Sequence, residues 1–187
     1  MSSMPNPTVT TAEELLLLHE PGFRHELVRG ELRRMSPAGH WHGGAGATLT
    51  ELLVRHAREH NLGKTYMAET GFLLACNPDT VLAPDISFVC NERLPPTRTR
   101  GYFPGPPDLA VEVRSPEGTR RQLHEKVLSW LRHGTRMVWV VDPAKESVTV
   151  YRGTDEVHEL REGDEIQGGD VLPGFRVLVR DLFPTED

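Results

Sequence analysis

The stretch from residue 109 to 141 restricts the fold more than any other part of the chain. Leu109-Ala110-Val111-Glu112-Val113 is an apolar run of the kind found in a central strand. A helical pattern follows at roughly 118–133 and closes at Gly134, and Val138-Trp139-Val140-Val141 is another buried strand. Hairpin signals lie on both sides of this strand, helix, strand unit, which implies a mixed α/β sheet flanked by helices.

Upstream, Thr11 is a good N-cap and Glu14 completes a capping box, so a short helix starts there with Leu15 to Leu18 as its apolar face. His25–Val28 and Glu31–Met35, split by Arg29-Gly30, read as a hairpin with glycine at the turn. Leu49, Leu52, Leu53 and Ala57 recur at helical spacing within a long helix from about 41 to 60. Strand-like runs follow at 64–76 and 85–90. Residues 91–107 contain five prolines and read as an irregular, functional or mobile loop. After a turn at Asp142–Ser147, Val148–Tyr151 returns as a hairpin. Short strand signals then appear around 157–160 and 176–179 in an acidic stretch. The length suits one domain over 11–183, with tails at 1–10 and 184–187.

No apolar run approaches the roughly 20 residues that span a bilayer, and the N-terminus lacks the basic and apolar segments of a secretory signal. A soluble, cytoplasmic protein without membrane partners is expected. Cys76 and Cys90 are expected as buried thiols, and Trp41, Trp130 and Trp139 as core or partly buried aromatics. The net charge of −6 argues against a general nucleic-acid coat. Residues 93–136, however, carry nine basic and four acidic side chains, which concentrates positive charge near the Glu112 strand. Only three lysines occur in the chain, and Lys126 is one of them.

Two acids stand where apolar residues belong. Alternation puts Leu109, Val111 and Val113 on one face and Ala110, Glu112 and Arg114 on the other. Asp85 follows Pro84 and opens Ile86-Ser87-Phe88-Val89. A buried carboxylate needs a cation or hydrogen bonds. Asp85 can be a strand-end acid accepting backbone N–H bonds, and Glu112 can pair with Arg114 or with a basic residue of the next helix. On that helix Lys126 borders the stripe of Leu123, Val127, Trp130 and Leu131. There it is either a surface lysine or one whose stem carries the ammonium to the sheet edge. Two carboxylates aimed at one point repel unless a divalent cation joins them. Mg²⁺ takes oxygen ligands, and such an ion with a lysine beside it is the chemistry of a metal-dependent nuclease.

Pro84-Asp85 followed by Glu112-Val113 is similar to the signature of the PD-(D/E)xK nuclease superfamily. Several further segments occur in order: His25-Glu26-Leu27-Val28-Arg29-Gly30-Glu31-Leu32, Met35-Ser36-Pro37 with His42, Pro107-Asp108-Leu109, Ser115-Pro116, and Trp139-Val140-Val141-Asp142-Pro143. Together they resemble the Uma-two family of putative restriction endonucleases over about residues 11–183. The resemblance implies a restriction-endonuclease-like core, with an N-terminal helix and hairpin beside the mixed sheet. It also implies Mg²⁺, replaceable by Mn²⁺, held by Asp85, Glu112, the Val113 carbonyl and Glu26. Lys126 would be the active-site lysine, moved from the strand to the following helix. The alternative for Glu26 is a salt bridge to Arg24 or a solvated hairpin acid. His42 would sit at the pocket rim or be a plain helix-start histidine. The superfamily's usual lysine position holds Arg114, which cannot act as a base but can clamp a phosphate. The usual tyrosine after the lysine is Trp130.

The first reading is therefore an endonuclease acting on DNA as a homodimer. The second is a catalytically inactive nucleic-acid- or protein-binding module on the same fold. The third is a structural domain in which Glu112 and Lys126 form a buried pair with no open pocket. A zinc site built from His40, His42, Cys76 or Cys90 and a phosphate cradle at Gly43–Gly46 are set aside for want of the proper ligand spacing and flanking elements. Asp155–Glu165 reads as a solvated face.

Overall fold

A computed structural model describes residues 9–97, 100–116 and 118–183. Thr11 caps helix α1, Ala12–Leu17, and its capping box with Glu14 is complete. Strands β1, Arg24–Val28, and β2, Glu31–Met35, form the expected hairpin. Arg29 and Gly30 both have positive φ, 54° and 77°. That is the backbone of a two-residue turn matching the twist of its strands, and glycine takes it without strain. Helix α2 spans His40–Glu59 and buries Ala45, Leu49, Leu53 and Ala57. Strands β3, Gly63–Met67, β4, Phe72–Ala75, β5, Thr80–Leu82, and β6, Ile86–Cys90, follow.

The proline-rich region keeps a 3-10 turn at Asn91–Arg93 and a two-residue strand β7, Phe103–Pro104. Then come β8, Leu109–Val113, helix α3, Arg120–Arg132, and β9, Met137–Asp142. Strands β10, Ser147–Arg152, β11, Glu156–Leu160, β12, Glu165–Gln167, and β13, Arg176–Leu178, complete the chain, with a 3-10 turn at Val179–Leu182.

The strands make a six-stranded sheet in the order β11-β10-β9-β8-β6-β3 and a five-stranded sheet in the order β2-β1-β5-β4-β7. A small sheet pairs β12 with β13. The six-stranded sheet is mixed: β8 and β9 run parallel, joined through α3, and the other pairs are antiparallel. One face packs on α2 and on Ile166, Leu172, Phe175 and Leu182. The other packs on α3 and on Phe72, Leu82 and Phe103 of the second sheet. The alternation expected for β8 holds: Leu109, Val111 and Val113 enter the first core, and Ala110 enters the second.

Some expectations need correction. Cys76 is exposed and Cys90 half-buried, so neither is a core thiol. Cys76 lies at the open end of β4 beside the Asn77–Asp79 turn, where nothing covers it. Trp41 is 61% exposed, because the buried stripe of α2 runs through Ala45, Leu49 and Leu53 and leaves Trp41 off that face. Trp130 and Trp139 are fully buried. Strands β5 and β12 carried no sequence signal strong enough to mark them. Of the tails expected at 1–10 and 184–187, residues 1–8 and 184–187 lie outside the described residues. Val9 packs with Leu15, Leu27 and Val81.

Asp108, just before β8, fixes the edge of this arrangement. Its carboxylate accepts the Cys90 amide at 2.9 Å and the Arg93 guanidinium at 3.0 Å. Burial alone would raise its pKa, but the Cys90 amide and Arg93 hold it below the usual carboxylate range. The resulting stabilisation is present above the unfolded carboxylate value of about 3.9. It is lost as pH falls through the depressed folded value. Asp108→Asn is expected to lower stability at neutral pH and to flatten the acid limb of a denaturation series. Unchanged acid sensitivity in that variant would contradict the assignment.

Candidate active site

Asp85 leads into β6, and its amide donates to the Val111 carbonyl at 3.0 Å, which ties it to β8. The Val113 amide donates back to Asp85 Oδ2 at 2.8 Å. The carboxylate thus accepts a backbone N–H, as a strand-end acid does, and still turns Oδ1 outward to His42 Nε2, 3.1 Å away. His42 sits on the first turn of α2, and its Nδ1 is buried with no partner among the described residues. Arg24 stands 3.7 Å from the same oxygen. Burial raises the Asp85 pKa, but His42, Lys126 and the Val113 amide outweigh it and keep the group ionised.

Glu112 points from β8 toward α3. Trp130 Nε1–H donates to Oε1 at 2.8 Å. Lys126, one turn earlier on the same helix face, brings Nζ to 3.0 Å from Oε2. The same ammonium lies 2.9 Å from Glu26 Oε1 and donates to the Ala83 carbonyl at 3.0 Å. Glu26 Oε1 also accepts the Ala83 amide at 2.8 Å. Lys126 is therefore the helix cation anticipated for Glu112, and Glu26 joins it instead of Arg24. Burial, with the charges of Asp85 and Glu26, pushes Glu112 up to about 8 against the pull of Lys126 and Trp130. Burial works to lower Lys126, but Glu112, Glu26 and Asp85 together raise it, so the ammonium stays charged.

Glu26, His42, Asp85, Glu112 and Lys126 line a pocket of about 800 Å³. The β1–β2 hairpin forms one wall with Arg24 and Arg33, and α3 forms the other with Arg121 and Lys126. The opening separates this arrangement from a plain structural ion pair, which needs no cavity. Arg114 also lines the pocket, with Nη1 held by Asp142 at 2.6 Å. The structure thus brings together Glu26, Asp85, Glu112, Lys126 and His42, with Val113 adjoining. Among the described residues no three His, Cys, Asp or Glu side chains already stand as a metal cage. No helix among them is long and apolar enough to cross a membrane. Sequence reasoning missed the hydrogen bond from Trp130 to Glu112, although its four-residue spacing from Lys126 was a signal. It weighed Arg24 only as a partner of Glu26, and it missed Arg33, which looks like an ordinary hairpin arginine.

Residues 12–180 match the Uma2 family, described as putative restriction endonuclease. The chain belongs to this family. No curated protein matches this Uma2 chain by sequence. Among solved structures, it is similar to a putative nuclease belonging to DUF820 from Anabaena variabilis ATCC 29413. The TM-score is 0.78 at 23% identity, over 92% of this chain and 97% of that one. At that identity the likeness speaks for the fold. The restriction-endonuclease-like architecture expected from the sequence is therefore the one this Uma2 chain has.

The buried ammonium carries a clear consequence for stability. Removing one partner of a buried ionic cluster leaves uncompensated charge and costs about 3 kcal/mol. Lys126→Met is expected to lose about that much in chemical denaturation, while Lys64→Met, on half-exposed β3, is expected to lose little. Equal stabilities for the two variants would show that the cluster contributes nothing.

Proposed function

We propose that this Uma2 protein is a Mg²⁺-dependent endonuclease that hydrolyses DNA phosphodiester bonds in the cytoplasm, with Mn²⁺ able to substitute. One observation carries the reading: Glu26, Asp85, Glu112 and Lys126, from separate elements, converge in an open pocket. The donor set suits a hard divalent cation. Three carboxylates, Glu26, Asp85 and Glu112, lie around one lysine, and burial first, then the charges of Asp85 and Glu26, raise the Glu112 pKa. Asp85, Glu112, Glu26 and the Val113 carbonyl would hold the ion. Bound there, it would polarise a phosphodiester and acidify an attacking water.

The chain's own groups have defined parts. Lys126 keeps its proton, so it orients water and stabilises charge developing on phosphorus-bound oxygen instead of accepting a proton. Trp130 fixes Glu112 Oε1 and leaves Oε2 to the cluster. His42 and the Val113 amide each engage one Asp85 oxygen and so fix the orientation of the carboxylate. Arg114, braced by Asp142, can offer its remaining N–H groups to a phosphate. Cleaving both strands of a duplex needs two such sites, so a homodimer belongs to the proposal.

A second reading, a catalytically inactive nucleic-acid- or protein-binding module, has one observation in its favour. Lys126 already lies between Glu26 and Glu112, where a metal would compete with it. Two measurements decide between them. Plasmid DNA should be cleaved by the wild type in Mg²⁺ or Mn²⁺ and left intact by Asp85→Ala, with the variant still folded. Calorimetric titration with Mn²⁺ should give binding that disappears in Glu112→Ala. Equal cleavage by wild type and Asp85→Ala would sink the nuclease reading, and absence of Mn²⁺ binding would favour the module.

A further inference from the structure

Resting on the nucleic-acid reading above, we propose that Arg33 seats a phosphate of the substrate beside the carboxylate cluster. In the β1–β2 register Arg33 lies directly opposite Glu26. Residues paired across an antiparallel hairpin share a face. Glu26 points into the pocket, so Arg33 does too, and both line it.

A directly opposed Glu and Arg would ordinarily form an ion pair. Here the Glu26 carboxylate is taken by Lys126 at 2.9 Å and by the Ala83 amide at 2.8 Å, and it makes no ion pair with Arg33. The next acid is Glu125 on α3, which Arg33 attracts through space. Its hydrogen bond goes to Arg121 at 2.9 Å.

The other arginines of the pocket are engaged. Arg24 is 3.7 Å from Asp85, and Arg114 is 2.6 Å from Asp142. Arg34 pairs with Glu20 at 2.8 Å and lies over the Phe23 ring. Among the described residues, Arg33 is the pocket guanidinium with neither a hydrogen bond nor an ion pair. It is half-buried and lines the cavity. A guanidinium fork matches two phosphate oxygens. Its place on the hairpin wall across from α3 sets the phosphate between Arg33 and the Lys126 cluster, where the diester must lie for hydrolysis.

The test measures binding of a fluorescent DNA duplex across a salt series. Ca²⁺ replaces Mg²⁺ to separate binding from cleavage, and wild type, Arg33→Gln and Arg33→Lys are compared. Arg33→Gln should weaken binding about ten-fold at low salt and reduce the slope of log K against log salt by about one. Arg33→Lys should keep the wild-type slope with reduced affinity, because a point charge replaces a fork. All three should melt alike. Wild-type slope and affinity in Arg33→Gln would overturn the role of Arg33 alone. A wild type that binds no duplex would overturn this proposal together with the nucleic-acid reading.

Discussion

An ammonium ion held inside a protein must find acceptors for all three of its protons, and Lys126 finds them on three different segments. Glu26 belongs to the hairpin of the smaller sheet, Ala83 to the link between the two sheets, and Glu112 to the centre of the larger one. The bond to Lys126 is thus a condition on the relative placement of hairpin, link, strand and helix. None of the three acceptors suffices alone: a lone Glu112 on a fully covered strand would stay protonated, and a lone buried lysine would lose its charge. The cluster holds because its members arrive together.

The surrounding fold delivers them with rigid parts. Strand β8 is covered on both faces, so Glu112 has no freedom to swing to solvent. The Thr119–Gln122 capping box fixes the start of α3, and buried Val127 and Trp130 fix its rotation, which aims Lys126 at the sheet. Asp85 is tied to β8 through hydrogen bonds in both directions. The negative charge of the whole chain is spent mostly elsewhere, on the solvated acidic stretch of β11 and its flanks. Around the pocket, arginines from the hairpin and from α3 face one another, so a protein of net charge −6 still presents cations to a phosphate.

The legible parts of the fold were those with strong local grammar. The Thr11 cap, the Arg29-Gly30 turn, the apolar spacing of α2 and the runs of β8 and β9 each have a local cause, and each appears nearly where expected. Strand β5 was invisible because three residues are too few to show an alternation, although it pairs with the neighbouring β4 as well as with the remote β1. Trp41 and the two cysteines were misjudged because burial depends on which face of an element meets a neighbour. Residue type alone carries a bias toward the core and no more.

The sequence by itself marked Glu112 as an acid inside an apolar run and offered Asp85 and Lys126 as candidate neighbours, beside the plainer readings of a strand-end acid and a surface lysine. An acid inside an apolar strand needs a cation or hydrogen bonds, and a lysine on the helix that packs back over it is one such partner. Tertiary structure alone decided the rest. It turned Glu26 from Arg24 to Lys126, gave His42 and Arg24 to Asp85, set Trp130 on Glu112, and left Arg33 without a counter-ion. Partner choice among charges depends on distances across separate sheets and helices. Those distances are set by packing, so no local pattern encodes them.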